Sequence, residues 1–469
     1  MTAGADRGDA VLEADVGVVG AGPGGMAVAT SVAPRASVVV LDEGARPGGQ
    51  IFRQLPAGFA ARAHPPEPPS HAAGHELLRR LDAAPVRVES RAVVWDAAPG
   101  HLWFEQDGRS RLLRCKTIVL APGALDRCIP FPGWTLPGVI TAGAAQVMVR
   151  GQGVRPGRRA LVAGTGPLLL PTVTALLGAG VEVVAALEAA PRSAMLRALP
   201  GVLRSGARLR EAWFYARQLL RRGVRLRWGH TVFAAEGTYR VERAIVGRVD
   251  RRGHPVRHTA RAIDVDVVCA GFGLVPQIEL AQRLGCEVVW NAVRGGWCVV
   301  TDDHGRTSVP DVVAVGEIAG IGGAEAAVAD GRAAAAELIG GEAAGAGARR
   351  RSTRRAADAM LRAFPVLPGL YDLAADDTIV CRCEDVTRAQ LRAAAALHGA
   401  TQRGIKMGCR AGMGPCQGRI CGPNLQACAL GRAERPDAPV VQLPLKPVRT
   451  ATILDAPPTR GVPAPAQPL

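Results

Sequence analysis

Apolar residues in this chain fall into short runs that end in glycine, and this pattern returns along its length. Asp15 precedes Val16, Val18 and Val19, and Gly20, Gly22 and Gly25 follow with Pro23 between them. That order predicts a strand, a tight turn and a helix start over residues 15–25. A second strand is predicted from Ser37 to Leu41, ending at Asp42 and Glu43. Strand-like segments follow at 86–95 and 102–105, and TIVLAPGA at 117–124 is a buried run that passes Ala121 and ends in Gly123 and Ala124. RALVAGTGPLLL at 159–170 begins a second strand–glycine–helix unit, with its next strand ending at Glu188. A basic helix and short strands are expected over 203–260, then a strand ending in glycines at 264–277. The run 308–338 reads as a strand, the pair Gly316–Glu317, a loop, and an Ala-rich helix that starts near Gly323 and Ala324.

The glycines carry the first chemical signal. In G-x-G-x-x-G the first glycine permits the turn, the second lets backbone approach a pyrophosphate, and the third lets helix and strand pack closely, with the helix N-terminus facing the phosphates. Gly20, Gly22 and Gly25 satisfy this, and an acid at Asp42 or Glu43 is placed to bind ribose hydroxyls. ARPGGQ adds Gly48, Gly49 and Gln50 as a second backbone approach. In the second unit Gly164 and Gly166 are present, but Leu169 stands at the third glycine position. Two readings stay open there: a nucleotide site, in which Glu188 favours NAD over NADP or another adenine nucleotide binds, and a domain that keeps the fold without nicotinamide binding.

Four cysteines near the C-terminus carry the second signal: Cys381 and Cys383 in CRCEDVT, Cys416 and Cys421 in GPCQGRIC. Four thiolates suit a [2Fe–2S] cluster or structural zinc. Thr387 and Gln390 predict a capping box and a helix just after the first pair. Pro415 reads as a helix N1 residue ahead of Cys416, and Gly412 and Gly414 allow backbone close to sulfur. Cys409 is a competitor: the C-x6-C pair Cys409/Cys416 could ligate in place of Cys416/Cys421, which is the pair preferred. The remaining cysteines read as small buried hydrophobes. No C-x4-C follows PGGQ and no C-x-x-C occurs, so a dithiol-reductase mechanism is not expected. His64, His71 and His75 lie in a Pro-rich stretch read as loop, with no zinc spacing, and are expected at the surface.

Composition narrows the remainder. With 469 residues, two or three domains are expected. The net charge of +16 points to nucleic acid or an acidic membrane surface, yet the arginines between Arg192 and Arg227 lack the interleaved aromatics of a single-strand binder. A solvated or partner-facing surface is the reading adopted, with no nucleic-acid partner. No apolar run reaches the roughly 18 residues of a membrane span. No signal-peptide h-region is seen in the first 14 residues. The expectation is a cytoplasmic protein, with peripheral membrane association left open.

Together, DVGVVGAGPGGMAVA, ARPGGQI, TIVLAPGA and VVAVGEIAG resemble the two-dinucleotide-domain flavoproteins of glutathione-reductase-like topology. The last motif usually carries Asp where this chain has the longer acid Glu317. With IPFPGW, the VAGTGPLLL loop and CRCEDVT followed by CRAGMGPCQGRIC, the chain more closely resembles the flavoprotein (A-type or alpha) subunits of heteromeric amino-acid dehydrogenases: opine oxidase, hydrogen cyanide synthase, and proline and hydroxyproline dehydrogenases. The C-terminal part resembles the bacterioferritin-associated-ferredoxin-like [2Fe–2S] domain. The resemblance implies FAD on the first glycine unit, a cluster on Cys381, Cys383, Cys416 and Cys421, and electrons relayed to a quinone or other acceptor. It also implies a separate D-amino-acid-oxidase-like flavoprotein subunit that oxidises the amino- or imino-acid substrate. The implied fold is α/β: two Rossmann-like dinucleotide-binding domains plus a small helical [2Fe–2S] domain. Its expected divisions are FAD-binding at 13–154 and 262–345, NAD(P)-binding-like at 155–261, a linker at 346–378, the cluster module at 379–430 and a Pro-rich extended tail at 431–469. The competing functions are a stand-alone NADH-dependent reductase and a non-redox, nucleotide-binding assembly subunit.

Overall fold

The computed structural model describes residues 10–56, 58, 66–196, 206–341, 343–431 and 435–457. Its first sheet is parallel at the centre. Strands Val86–Ser90, Val38–Asp42, Val11–Val19 and Arg109–Leu120 lie side by side, with Val312–Ala314 pairing along the last of them. The meander Val93–Ala98 and His101–Gln106 continues this sheet antiparallel. Val38–Asp42 is buried at every position, which accounts for a strand that is apolar from Val38 to Leu41 rather than alternating. The register Val19↔Leu120 and Leu120↔Ala314 brings Gly20, Ala121 and the Val315–Gly316 pair to one edge.

A second, all-parallel sheet orders Leu226–Trp228, Glu182–Glu188, Arg159–Gly164, Val267–Gly271 and Val139–Thr141. Two of its strands correct the expected boundaries. Val139–Thr141 falls within the expected first domain and Val267–Gly271 within that domain's return, yet both pair within the second sheet. The antiparallel ribbon Ala124–Asp126 with Leu274–Pro276 carries the chain between the halves in both directions.

The stretch expected as a linker is largely helix. Ala343–Leu361 packs along helix Ala324–Leu338, and Pro368–Leu373 forms a 3-10 turn with Leu370 and Tyr371 buried. The arginines at 349–351 and 354–355 fall in that expected linker. Spaced four apart, Arg350 and Arg354 instead lie on one helix face and point inward. Both contact Asp330, which is fully buried on the neighbouring helix: Arg350 Nε lies 3.0 Å from Oδ1, and the Arg354 guanidinium reaches both carboxylate oxygens. Arg294 and Asp358 add a bidentate pair at 2.9 and 2.8 Å.

The described part of the tail lies against the first sheet. Within 435–457, Leu445 is buried, its N–H donating to the Trp95 carbonyl at 2.8 Å, and Thr450–Leu454 is a short helix. The rest of the expected tail, 458–469, lies outside the described residues, as does His64.

Asp330 sets a stability test. Asp330→Ala leaves two buried guanidinium groups without their carboxylate, and removing one partner of a buried pair costs about 3–5 kcal/mol. Urea unfolding of wild type and variant should show that loss.

Candidate functional site: a nucleotide cavity beside a four-thiol module

A cavity of about 1840 Å³ opens at the C-terminal edge of the first sheet. Gly20, Gly22, Pro23 and Gly49 form one side, and Ala121 and Gly123 another. Gly20 has φ +100°, and a Cβ there would sit 2.2 Å from the Ala121 carbonyl oxygen, so no side chain fits between the two strand ends. Helix Pro23–Val32 begins directly at this turn with Gly22 as its N-cap, leaving amides and the positive helix end toward the cavity. Gly25 does not line the cavity; it packs beneath the turn against the Gly20 carbonyl.

The acids are held by backbone. Asp42 Oδ2 accepts the Ala21 N–H at 2.5 Å and Oδ1 accepts the Gly44 N–H at 2.7 Å, and burial raises its carboxyl above the usual range. Glu43, at the cavity rim, accepts from Lys446 Nζ at 2.8 Å. Gln50 lines the cavity next to Arg53. Gly316 and Glu317 close the far side, where Glu317 accepts the Gly322 and Gly323 N–H groups at 3.1 and 2.8 Å. The longer acid therefore reaches back to the start of helix Ala324–Leu338, which a shorter Asp at this point would not span as readily.

The second glycine unit differs from the first: the loop just after it reaches the cavity, where Pro167, Leu168, Leu170 and Pro171 line the wall. Gly164 and Gly166 are buried and lie off the cavity wall. Glu188 is 2% exposed; its carboxylate accepts the Gly166 N–H at 3.0 Å and the Ala190 N–H at 2.8 Å. Helix Leu169–Gly178 starts three residues beyond Gly166, and Leu169 is buried where a third glycine would stand.

Sequence reasoning misses the inner end of the cavity. His71 is expected at the surface, but Ser70–Ala83 is a helix and His71 is buried on its inner face, its pKa pushed down to about 4 by burial and by Arg150. Arg150, on a π-helical turn, and Asp126, which accepts from the Thr141 hydroxyl and the Gly143 N–H, share this wall. These residues come from separated elements, with no common spacing to reveal them.

In the C-terminal module four thiols converge. The Cys421 thiol is close enough to act on Cys381 and Cys416, and Cys383 on Cys416. The Cys421 thiol, with the amides of Gly412, Glu384 and Cys383, lowers Cys381 to about 6. Cys421, with the amides of Ile420 and Gly418, lowers Cys416 to about 5. Burial raises Cys383, and the two neighbouring sulfurs raise Cys421. Gly414 lies against Cys383, where a Cβ would come within 2.3 Å of that residue's own. Cys409 ends helix Gln402–Cys409, and its thiol donates to the Ile405 carbonyl at 3.1 Å rather than to the other sulfurs. Among the described residues no group of three or more Cys, His, Asp or Glu side chains is drawn tightly enough together to hold a metal ion.

The Thr387–Gln390 capping box forms as expected and starts helix Arg388–His398. Pro415 does not open a helix: it lies in a turn, and the next helix is Gly422–Leu430, with Cys421 at its N-cap and Pro423 in its first turn. The six other cysteines are all buried, as expected.

The module is seated on the rest of the chain. Trp134 Nε1 donates to the Ile379 carbonyl at 2.6 Å, and the Asn424 amide donates to the Cys128 carbonyl. Arg419 pairs with Glu279 at 3.2 Å and donates to the Cys416 carbonyl at 3.3 Å. Arg419 and Glu279 both line the cavity, so one ion pair joins the cavity wall to the cysteine loop.

Residues 14–331 match the pyridine nucleotide-disulphide oxidoreductase family, and residues 379–428 match the BFD-like [2Fe-2S] binding domain. The chain belongs to the pyridine nucleotide-disulphide oxidoreductases. It is 34% identical to the A-type subunit of opine oxidase from Agrobacterium tumefaciens over 95% of this chain and 92% of that protein. It is 33% identical to the HcnB subunit of hydrogen cyanide synthase from Pseudomonas aeruginosa over 86% of this chain and 90% of that one. Among solved structures, L-proline dehydrogenase from P. horikoshii superposes with a TM-score of 0.68 at 18% identity, covering 96% of this chain and 81% of that one, a likeness of fold. This membership makes the chain a flavin-dependent oxidoreductase whose cofactors are FAD and a [2Fe–2S] cluster. No helix among the described residues is long and apolar enough to cross a membrane.

Burial raises Glu188 from 4.5 to about 7. A carboxyl raised in the folded state binds more protons than in the unfolded chain, so its contribution is full below 4.5 and is lost as pH rises to 7. The loss is roughly 3 kcal/mol. Denaturation measured across that window should show the decline in wild type, and Glu188→Gln should remove that part of the slope.

Proposed function

We propose that this chain is the electron-relaying subunit of a heteromeric amino-acid or imino-acid dehydrogenase, working with a D-amino-acid-oxidase-like flavoprotein that oxidises the substrate. The observation that carries this reading is a cysteine module tied to the flavin cavity through Arg419, in a chain whose second glycine unit has Leu169 in place of the third glycine. That replacement alters the close helix packing of a nicotinamide site, and the sequence has no C-x-x-C dithiol for a disulfide substrate. Opine oxidase and hydrogen cyanide synthase relatives are themselves subunits, which supports a partner for this chain.

FAD would rest on Gly20, Gly22, Pro23 and Gly49, with Asp42 and Glu43 toward the ribose, Gln50, Ala121 and Gly123 along the ring end, and Gly316 and Glu317 opposite. Gly25 supports the turn from below. Cys381, Cys383, Cys416 and Cys421 would hold the cluster. When bound, the flavin supplies two-electron chemistry and the cluster one-electron chemistry. The chain's own residues set the surroundings: Glu317 fixes the Gly322–Gly323 turn at the helix start, amides of the 412–420 loop favour thiolate over thiol, and Arg419 keeps the cysteine loop against the cavity wall. Gly164, Gly166 and Glu188 serve the fold of the second domain in this reading. The location proposed is the cytoplasm.

The purified chain should contain iron and acid-labile sulfide in equal amounts. Cys421→Ser should lose them, and Cys409→Ser should keep them; the reverse pattern would place Cys409 among the ligands. NADH should leave the flavin spectrum unchanged over many minutes. Rapid bleaching would favour the stand-alone reductase and sink the subunit reading. Co-purification of a D-amino-acid-oxidase-like flavoprotein from the native source tests the partner.

A further inference from the structure

Helix Gly206–Arg221 presents an uncovered apolar stripe. Its inner face buries Tyr215 and Leu219, at 6% and 8% exposure. On the outer face Leu209, Trp213, Ala216 and Leu220 follow at helical spacing, with Trp213 68% and Leu220 79% exposed. The stripe runs about 16 Å along the helix. A lone exposed leucine needs no explanation, but a tryptophan aligned with two leucines on one face does.

The charges beside the stripe have one sign. Between Ala189 and Ala235 the sequence holds ten arginines and a single carboxylate, Glu211. Glu211 turns inward, accepting from the Ser70 hydroxyl at 2.9 Å. Arg210, Arg217 and Arg221 are exposed, and none has an ion-pair partner among the described residues. This face therefore complements an apolar groove with an acidic rim.

The stripe also meets the cavity. Leu209 and Ala212 are exposed on the helix and line the cavity, as do Arg210, Glu211 and Tyr215. A protein delivering electrons to a flavin in that cavity has to seat near its mouth, and this helix forms part of the wall there. We infer that helix Gly206–Arg221 is the docking element for the substrate-oxidising subunit, with Trp213 and Leu220 as apolar anchors and Arg217 and Arg221 meeting acidic residues around the partner's groove. This rests on the subunit reading above and adds its contact surface. Tryptophan and arginine are the side chains that most often carry interface energy, and a helix laid into a groove is read through anchors at this spacing.

The test co-produces the full-length chain with the D-amino-acid-oxidase-like flavoprotein and measures their dissociation constant by analytical ultracentrifugation. Trp213→Ala and Leu220→Ala should each weaken the complex about thirtyfold or more. The double change Arg217→Glu and Arg221→Glu should slow association at low salt, with a smaller effect at high salt. Flavin and sulfide content should stay at wild-type levels in all variants, and the charge variant, altered only at exposed positions, guards against a folding artefact. Amides of residues 209–221 should gain hydrogen-exchange protection in the complex. Wild-type affinity in all the variants overturns this inference while leaving the subunit reading intact. A wild-type chain that forms no complex overturns both. If the variants keep the complex but lose flotation with phosphatidylglycerol vesicles, the face belongs to a lipid surface and the inference fails.

Discussion

One buried carboxylate organises the flavin side of this molecule. Asp330 has no solvent contact and meets two guanidinium groups, while its Oδ2 also accepts the Gly316 N–H at 3.0 Å. Arg354 bonds in turn to the Gly316 and Gly320 carbonyls, and Arg350 to Thr301 and the Asp302 carbonyl. The desolvation cost of three buried charges is offset only where their hydrogen-bonding capacity is met. Here the partners are the loop at the cavity wall and two packed helices. The same contacts that neutralise the charges thus hold Gly316 in place and fix the helix from which the chain departs toward the cysteine module.

The module is not an appendage on a tether. Its buried residues Val380, Cys381, Leu391, Ile405, Cys421 and Leu425 join one apolar core with Phe131, Trp134, Val232 and Phe233 of the preceding domains. A shared core of this kind resists relative motion more than a polar interdomain contact does. Arg419 adds direction, since it touches the cysteine loop and the cavity wall at once. This packing would hold the sites of two electron-carrying cofactors in place relative to one another.

The two glycine units show how similar sequences diverge in use. Each ends its second strand in an acid that accepts a loop amide: Asp42 from Ala21, and Glu188 from Gly166. In the first unit the helix begins at the turn, which stays on the cavity wall. In the second, Leu169 fills the close-packing position, Gly164 and Gly166 are buried, and the cavity wall is formed by the following Pro167 and Leu168 instead.

The local pattern is sufficient for much of this. Gly20, Gly22 and Gly25 after an apolar strand, the acid at Asp42, and the Thr387–Gln390 box each act through their own backbone or a near neighbour, so sequence order exposes them. The four cysteines at 381, 383, 416 and 421 are legible for another reason: thiols in that number and close pairing point to a metal centre whatever the distance between the pairs. Arg350 and Arg354 are not, because an arginine-rich run reads as linker until the partner carboxylate, 20 and 24 residues away, is brought beside it. His71, Arg150 and Asp126 likewise meet only where separate elements enclose one cavity. The strand at 267–271 is legible as a strand, but its place in the second sheet, and the strand at 139–141 beside it, are not, because pairing between distant parallel strands leaves no local periodic mark. Sequence by itself determined which short motifs can approach a phosphate or a cluster. Tertiary structure decided which glycines line the cavity, which charges are buried and which face is left uncovered, since those outcomes depend on what lies alongside in space.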